Sequence, residues 1–518
     1  MEEQAIQIQP IEESASVRVR AMLHVILLLI ASYCFITAIW FLADNVYPAL
    51  MLIATASLFV ITLVFGLLHG AKLSLQVIAP FILGVVGGAN AWINGMQFLS
   101  TYLYLHVIVL CYTYMTLSLF CNQNRSLNGG ILLLDCVKAT FVYPFISFAS
   151  MFTALFKPSK GSKRIGKAVL FTLLGVGIAF VLSLIAVSLL SYDPTFRKIF
   201  TFEFDWDDLP SVIAKLLFTI PAAALLFSVF ESSRSHKAEN MSTPEKADAF
   251  ALRVKKVPAV VLMIPVVALL AIYGIFFFTQ WDTYMSAFSG ILPNDYTAAE
   301  YARNGFFELC AVASINAVLS IVMGLFMKQC NVASVLLRKL ANTLLSIATL
   351  VLIATALSKM ILYVQRFDLT VLRLFVSVVL VLIAVGFLTS LLSQWIKPIK
   401  VTPVLVVLVG LLLLVTPFLN VRGWIAKYNV DAYLARAEQG ILSNKIDTGY
   451  LVSDLGSAAI PDAVRLLESG KLRPAYETKL EEQLTEHAEY LKNHNTFLEQ
   501  SLEDQRALDI LATKGFTN

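Results

Sequence analysis

The stretch ILLLDCVKATFVYPFISFASMFTALF, residues 131–156, decides how the whole chain is threaded. It is apolar enough to cross a membrane, yet it carries Asp135, Lys138 and Pro144. A crossing helix needs about 20 predominantly apolar residues. Eleven other segments meet that requirement: 21–43, 47–67, 73–95, 101–121, 168–190, 211–230, 257–280, 305–327, 340–358, 370–392 and 401–419. Counting 131–156 as a twelfth span would invert every loop after it. Basic residues concentrate in cytoplasmic loops, so their distribution arbitrates. With the N-terminus inside and 131–156 lying in the interface, the cytoplasmic loops collect Lys157, Lys160, Lys163, Arg164, Lys167, Arg234, Lys237, Lys246, Arg253, Lys255, Lys256, Lys328, Arg338, Lys339, Lys397 and Lys400. The opposite loop 191–210 is acidic, with Asp193, Glu203, Asp205, Asp207 and Asp208. The reading is therefore eleven spans, N-terminus cytoplasmic, C-terminus extracytoplasmic.

Composition supports a lipid-solvated chain. Of 518 residues, 58% are hydrophobic and 14% charged, where soluble proteins carry about 25% charged residues. Mean hydropathy is +0.75. The net charge of +4 calls for no nucleic acid. The first apolar run is about 23 residues, longer than the roughly 7–15 of a signal h-region, so it reads as a retained span. The six cysteines lie in or beside apolar segments and form no CxxC pair, which argues against a structural metal or disulfide framework. No cofactor is expected. No GxSxG, Walker, HExxH or strand-borne GxGxxG motif is present.

The expected fold is an all-α polytopic bundle with a helical extramembrane tail. Residues 1–20 form a cytoplasmic tail, 21–419 the transmembrane domain and 420–518 an extracytoplasmic helical domain. In that last segment DLGSAAIPDAVRLLESG (454–470) predicts a short helix opened by proline and closed by Gly470. Leu480, Leu484, Leu491, Leu498 and Leu502 recur at helical spacing, which predicts a long final helix. His487 and His494 read as part of a solvated face.

Polar residues inside spans are costly and therefore candidates for function. Tyr301 and Arg303 precede the helix that carries Glu308 near its outer end and Asn316 at mid-depth. Lys359, Tyr363 and Arg366 follow at i, i+4 and i+7, and Arg373 opens the next span. A second group, Asn90, Asn94, Gln97 and His106, also falls at outer ends. Together they predict a hydrated outer vestibule that could hold an anionic ligand. Structural ion pairing and interhelical packing by Asn and Gln are the competing reading. Gly84, Gly87 and Gly88 fit close helix contact.

EYARNGFFELCAVASIN (300–316), FFFTQWDTY (276–284), ALSKMILYVQRFDLTVLRL (356–374), WIAKYNVDAYL (424–434) and TGYLVSDLGSAAIPDAVRLL (448–467) together resemble a bacterial membrane family, domain of unknown function 4153, with its close relative 4173. Phe367-Asp368 stands where that family has Tyr-Gly, Val421-Arg422-Gly423 near its Asn-Pro-Asp, and Lys359 in place of its arginine. The resemblance covers roughly 276–467 and implies a bacterial inner-membrane location, but no activity. Expected partners are membrane lipids and a protein partner through 420–518. Three functions stay open: non-enzymatic transport or sensing at the outer leaflet, a scaffold whose tail recruits a partner, and a membrane-embedded enzyme with His106 as its one nameable residue.

Overall fold

The computed structural model describes residues 15–40, 47–120, 137–138, 140–156, 209–235, 253–279, 306–328, 332–396, 399–440 and 446–516. At 15–18, 98–99, 156, 209–210 and 306–308 it describes the backbone alone. The regular elements among these residues are all helices, and one isolated bridge pairs Val257 with Met327. They form two compact units. The first comprises 1–124, 135–241 and 496–501, the second 125–134, 242–495 and 502–518.

Ten of the described helices are long and apolar enough to cross a membrane, so this is a multi-pass membrane protein. They match ten of the eleven expected spans. The eleventh, 168–190, lies outside the described residues. Their outer faces stay apolar: Val260, Ile264 and Phe278 of one helix and Val407 and Leu411 of another are exposed, Phe278 to 87%. Water would penalise such surfaces, whereas lipid solvates them at no cost.

The first unit contains α1 (Ala15–Ala38), α2 (Pro48–Leu68), α3 (Leu75–Asn94), α4 (Phe98–Phe120), α5 (Tyr143–Ile146), α6 (Ser150–Phe156) and α7 (Leu209–Arg234). Helices α2 and α3 approach closely because glycine faces them. A β-carbon on Gly84 would lie 2.1 Å from Phe59 Cζ, and one on Gly88 2.8 Å from Thr55 Cβ. The described part of 131–156 folds as short pieces. Helices α5 and α6 are four and seven residues long, about 6 and 10 Å at 1.5 Å per residue, and neither can cross. Pro144 sits in the first turn of α5, and the 147–149 turn breaks the run. Tyr143 is fully buried, and Ser147 N–H donates to Ser228 Oγ of α7 at 2.9 Å.

Ring contacts fix the helix directions. His24, early in α1, stacks on Phe65 at 4.3 Å and meets Phe230 edge-on at 4.3 Å. His69, just past α2, lies 5.9 Å from Phe230, and Phe120, the last residue of α4, lies 5.4 Å from it. The start of α1 and the ends of α2, α4 and α7 therefore share one side. Helices α4 and α7 run parallel, as the eleven-span threading requires; a spanning 131–156 beside a spanning 168–190 would have set them antiparallel.

The second unit contains α8 (Ala259–Thr279), α9 (Phe306–Phe326), α10 (Val332–Phe367), α11 (Val371–Trp395), α12 (Val401–Val415), α13 (Val421–Glu438), α14 (Ile460–Glu468), α15 (Pro474–Asn493) and α16 (Leu502–Thr513). Helix α10 has 36 residues, about 54 Å against a hydrocarbon core of about 30 Å. Both its ends therefore reach polar surroundings, and Lys359, Tyr363 and Arg366 lie within it. Val257 N–H donates to Phe326 O at 3.1 Å and Lys328 N–H to Val257 O at 2.9 Å, which joins the start of α8 to the end of α9.

The tail has its own core, in which Ile425, Val430, Leu451, Leu455, Ile460, Leu466, Leu480, Leu484 and Leu511 are buried. Helix α14 begins and ends where proline and Gly470 predict. The long final helix is instead two, broken across 494–501. His494 caps α15, and Thr496 Oγ1 bonds Glu499 Oε2 at 2.7 Å. Short polar side chains that bond locally compete with helix continuation, and Leu498 is left exposed. The break lets α16 fold back so that Ala507 and Leu511 join the core.

Candidate functional site

The polar residues expected to form one vestibule have separate fates. Tyr301 and Arg303 lie outside the described residues. Glu308 is the third residue of α9, and its side chain lies outside the described atoms. Lys359 is buried, 7% exposed, on α10, whereas Arg366 two turns on is exposed. Asn90, Asn94, Gln97 and His106 belong to the first unit. Asn94 Nδ2 donates to Asn90 Oδ1 at 3.0 Å, one turn back on the same helix. Gln97 O accepts from Thr101 N–H at 2.8 Å. His106 is exposed; its Nδ1 lies 2.8 Å from Tyr102 O, and its ring is 4.4 Å from that of Tyr102.

Asn316 is fully buried, and both ends of its amide are bonded. Tyr273 O–H donates to Asn316 Oδ1 at 2.7 Å, and Asn316 Nδ2 donates to Thr349 Oγ1 at 2.9 Å. Thr349 Oγ1 donates in turn to Leu345 O at 2.6 Å. The chain links α8, α9 and α10 and engages both the oxygen and the nitrogen of the amide at a depth where lipid supplies no partner.

Tyr363 and Arg373 do meet, at the corner between α10 and α11. The Arg373 guanidinium lies 4.2 Å from the Tyr363 ring centroid, a cation–π distance. Its Nη1 donates to Phe367 O at 2.6 Å and to Asp368 O. A cation is disfavoured at the N-terminus of α11, but here it satisfies the final carbonyls of α10, where the helix dipole welcomes it. Thr370 Oγ1 caps α11 by accepting from Arg373 N–H at 3.3 Å.

The rest of the corner comes from residues that short-range sequence patterns do not single out. Asp368 has φ of 61°, a left-handed conformation that favours glycine and that Asp tolerates better than most. The carboxylate gives Asp368 a compensating contact, since Arg436 Nη2 pairs with Oδ1 at 3.0 Å. Asn429, on α13, clamps the backbone of Leu369: Leu369 N–H donates to Oδ1 at 2.8 Å and Nδ2 donates to Leu369 O at 2.9 Å. Val371 N–H donates to Tyr450 Oη at 2.8 Å, and burial pushes the Tyr450 phenol up, so it stays neutral. Leu369 is itself a member of the tail core. The stretches 356–374, 424–434 and 448–467, far apart in sequence, thus converge on one joint.

A second polar node lies within the tail. Ser457 Oγ donates to Asp504 Oδ1 and lies 3.0 Å from His487 Nε2. Here the serine bridges histidine and acid; in a nucleophilic triad the histidine bridges serine and acid. The node ties the 456–459 turn to α15 and α16, and His487 belongs to it, contrary to the solvated face expected. Beside it Arg422 Nη2 pairs with Glu503 Oε2 at 2.9 Å, both side chains largely buried. Among the described residues no group of three His, Cys, Asp or Glu is placed to hold a metal.

The chain matches the family described as Domain of unknown function (DUF4153) over residues 23–466. The match reaches far beyond the 276–467 stretch that carries the resemblance and takes in the first unit. No curated protein and no solved structure matches.

Proposed function

The chain belongs to the family described as Domain of unknown function (DUF4153), and from that premise we propose that it is a non-enzymatic membrane platform. The spans anchor it, and the tail, held rigidly on the α10–α11 corner, presents a surface to a partner outside the lipid, on the extracytoplasmic side of a bacterial inner membrane. The observation that carries this is the Asn429 clamp: both polar groups of Leu369 are satisfied from α13, and Leu369 is buried in the tail core. A tail that shares its core with a span corner cannot swing freely. Arg373, Asp368 and Arg436 are occupied with holding the joint.

Site-specific photocrosslinkers at the exposed Glu481 and Tyr490 test the reading in cells. The platform requires a discrete adduct at these positions that weakens when Asn429→Ala loosens the joint. Absence of any adduct, or one indifferent to that substitution, would sink it.

Transport or sensing at the outer leaflet is the second reading. It is favoured by Lys359, a lysine buried within a span, a costly placement that marks functional sites. Solid-supported-membrane currents across a panel of small anions, lost in Lys359→Met, would support it, and silence across the panel would remove it. The enzyme reading depends on His106 alone, whose Nδ1 is engaged by its own helix.

A further inference from the structure

The opposite end of the second unit carries a cleft that the platform reading does not use. It has a volume of about 610 Å³ and is walled by Arg338, Lys339, Ser393, Gln394, Trp395 and Lys400, with Ile399 and Val401. We propose that this cleft binds a phosphate-bearing anion, seated at headgroup depth.

Charge comes first. Three of the lining side chains are cationic and none is acidic. Arg338 is half-buried, and its Nε–H is enclosed without a hydrogen-bond partner among the described residues. A buried guanidinium donor left idle is costly, and an anion in the cleft would relieve that cost. Arginine also offers the planar donor fork suited to phosphate.

Backbone donors come second. Helix α12 starts at Val401, on the cleft wall, with no side-chain cap. Its first N–H groups lack intrahelical acceptors, and its dipole adds partial positive charge at the same point.

The wall is also fixed in place. Trp395 Nε1–H donates to Thr343 Oγ1 at 3.1 Å, and Lys339 Nζ sits 5.6 Å from the Trp395 ring centroid. Gln394 Nε2 donates to Ser390 O at 3.3 Å, which leaves its second amide hydrogen to donate. Trp395 is exposed at a helix end, where tryptophan marks the membrane–water boundary. The start of α10, the end of α11 and the start of α12 meet here. Phosphate at that depth is most abundant as a phospholipid headgroup, and a free phosphate shares the same recognition chemistry.

Thermal unfolding of the purified full-length protein in neutral detergent tests this, with phosphatidylglycerol, phosphatidylcholine and inorganic phosphate titrated separately. A basic side chain near an anionic surface is worth about a fivefold factor in affinity. The Arg338→Gln/Lys339→Gln/Lys400→Gln variant is therefore expected to weaken phosphatidylglycerol binding on the order of 100-fold. Phosphatidylcholine gives no saturable shift, and Arg253→Gln/Lys255→Gln at the same end leaves binding intact. A saturable shift with inorganic phosphate, lost in the same triple variant, identifies the soluble source of the same anion and upholds the site. If the triple variant does not fold, Lys400→Gln, at an exposed position, replaces it with an expected loss of about fivefold. An unchanged response in the cleft variants, an equal loss in the Arg253/Lys255 variant, or no response to either anion overturns the proposal.

Discussion

Replacing Asn429 with alanine removes the clamp on the α10–α11 corner and tests whether spans and tail are one mechanical piece. Asn429 is 5% exposed and Leu369 7%, so water reaches neither freely. The substitution orphans one buried N–H and one buried C=O, the partners at 2.8 and 2.9 Å. Each orphaned group costs about 1–3 kcal/mol, which gives about 2–6 kcal/mol in all. Domain stabilities are themselves about 5–15 kcal/mol, so the joint loosens while the spans stay folded. Asn429→Asp sharpens the test: it keeps the acceptor for Leu369 N–H but sets a carboxylate oxygen against Leu369 O. Hydrogen exchange on the full-length protein in nanodiscs reads the result. Amides of α13, α14, α15 and α16 should lose at least about 30-fold in protection, the equivalent of 2 kcal/mol, with α1–α4 unchanged. Protection in the tail no different from that of Asn495→Ala, an exposed position, would refute the argument that the joint holds the tail.

Three further outcomes are expected. Arg422→Met strands Glu503 as a buried carboxylate and costs about 3–5 kcal/mol; a chemical denaturation cycle should show Arg422→Met/Glu503→Leu recovering most of that loss. Burial lowers the His487 pKa below the ordinary histidine value of 6.5, with the Asp504 charge opposing. The unfolded chain therefore takes up a proton first, and tail stability falls as pH drops below 6.5 toward the lowered value and is flat above it; melts between pH 5 and 8 check this, and His487→Gln should flatten the curve. Gly84→Ala places a β-carbon 2.1 Å from the ring of Phe59, which is fully buried and cannot swing aside; overpacking of about 1–3 kcal/mol outweighs the helix-propensity gain of about 1 kcal/mol, a net loss measurable by SDS-induced unfolding.

The spans were legible because lipid leaves the chain few choices. A backbone in hydrocarbon must satisfy its own hydrogen bonds, so about 20 apolar residues make a helix wherever they occur. Ten described spans fall where hydropathy places them, and the parallel directions of α4 and α7 agree with the charge count that kept 131–156 from crossing. The proline start and glycine stop of α14 were likewise local and readable. The break after α15 was not, because leucine periodicity continues across it while the polar residues at 493–496 end the helix.

The candidate site was only half legible. Periodicity marked Tyr363 and Arg373 because both are polar residues at span ends, and the resemblance placed Asn429 and Tyr450 within notable stretches. Nothing local pairs Leu369 with Asn429, 60 residues away, or Asp368 with Arg436, 68 away. Helical spacing does not set burial: Lys359, Tyr363 and Arg366 share a helical face, yet the first is buried and the last exposed, because burial depends on what packs against each turn. The sequence by itself determined a lipid-solvated helical chain and its ten described spans, since solvent transfer acts residue by residue. Tertiary structure alone decided which polar groups find each other. That choice rests on hydrogen bonds between segments distant in the chain, such as those joining Leu369 to Asn429 and Asp368 to Arg436, which no local pattern specifies.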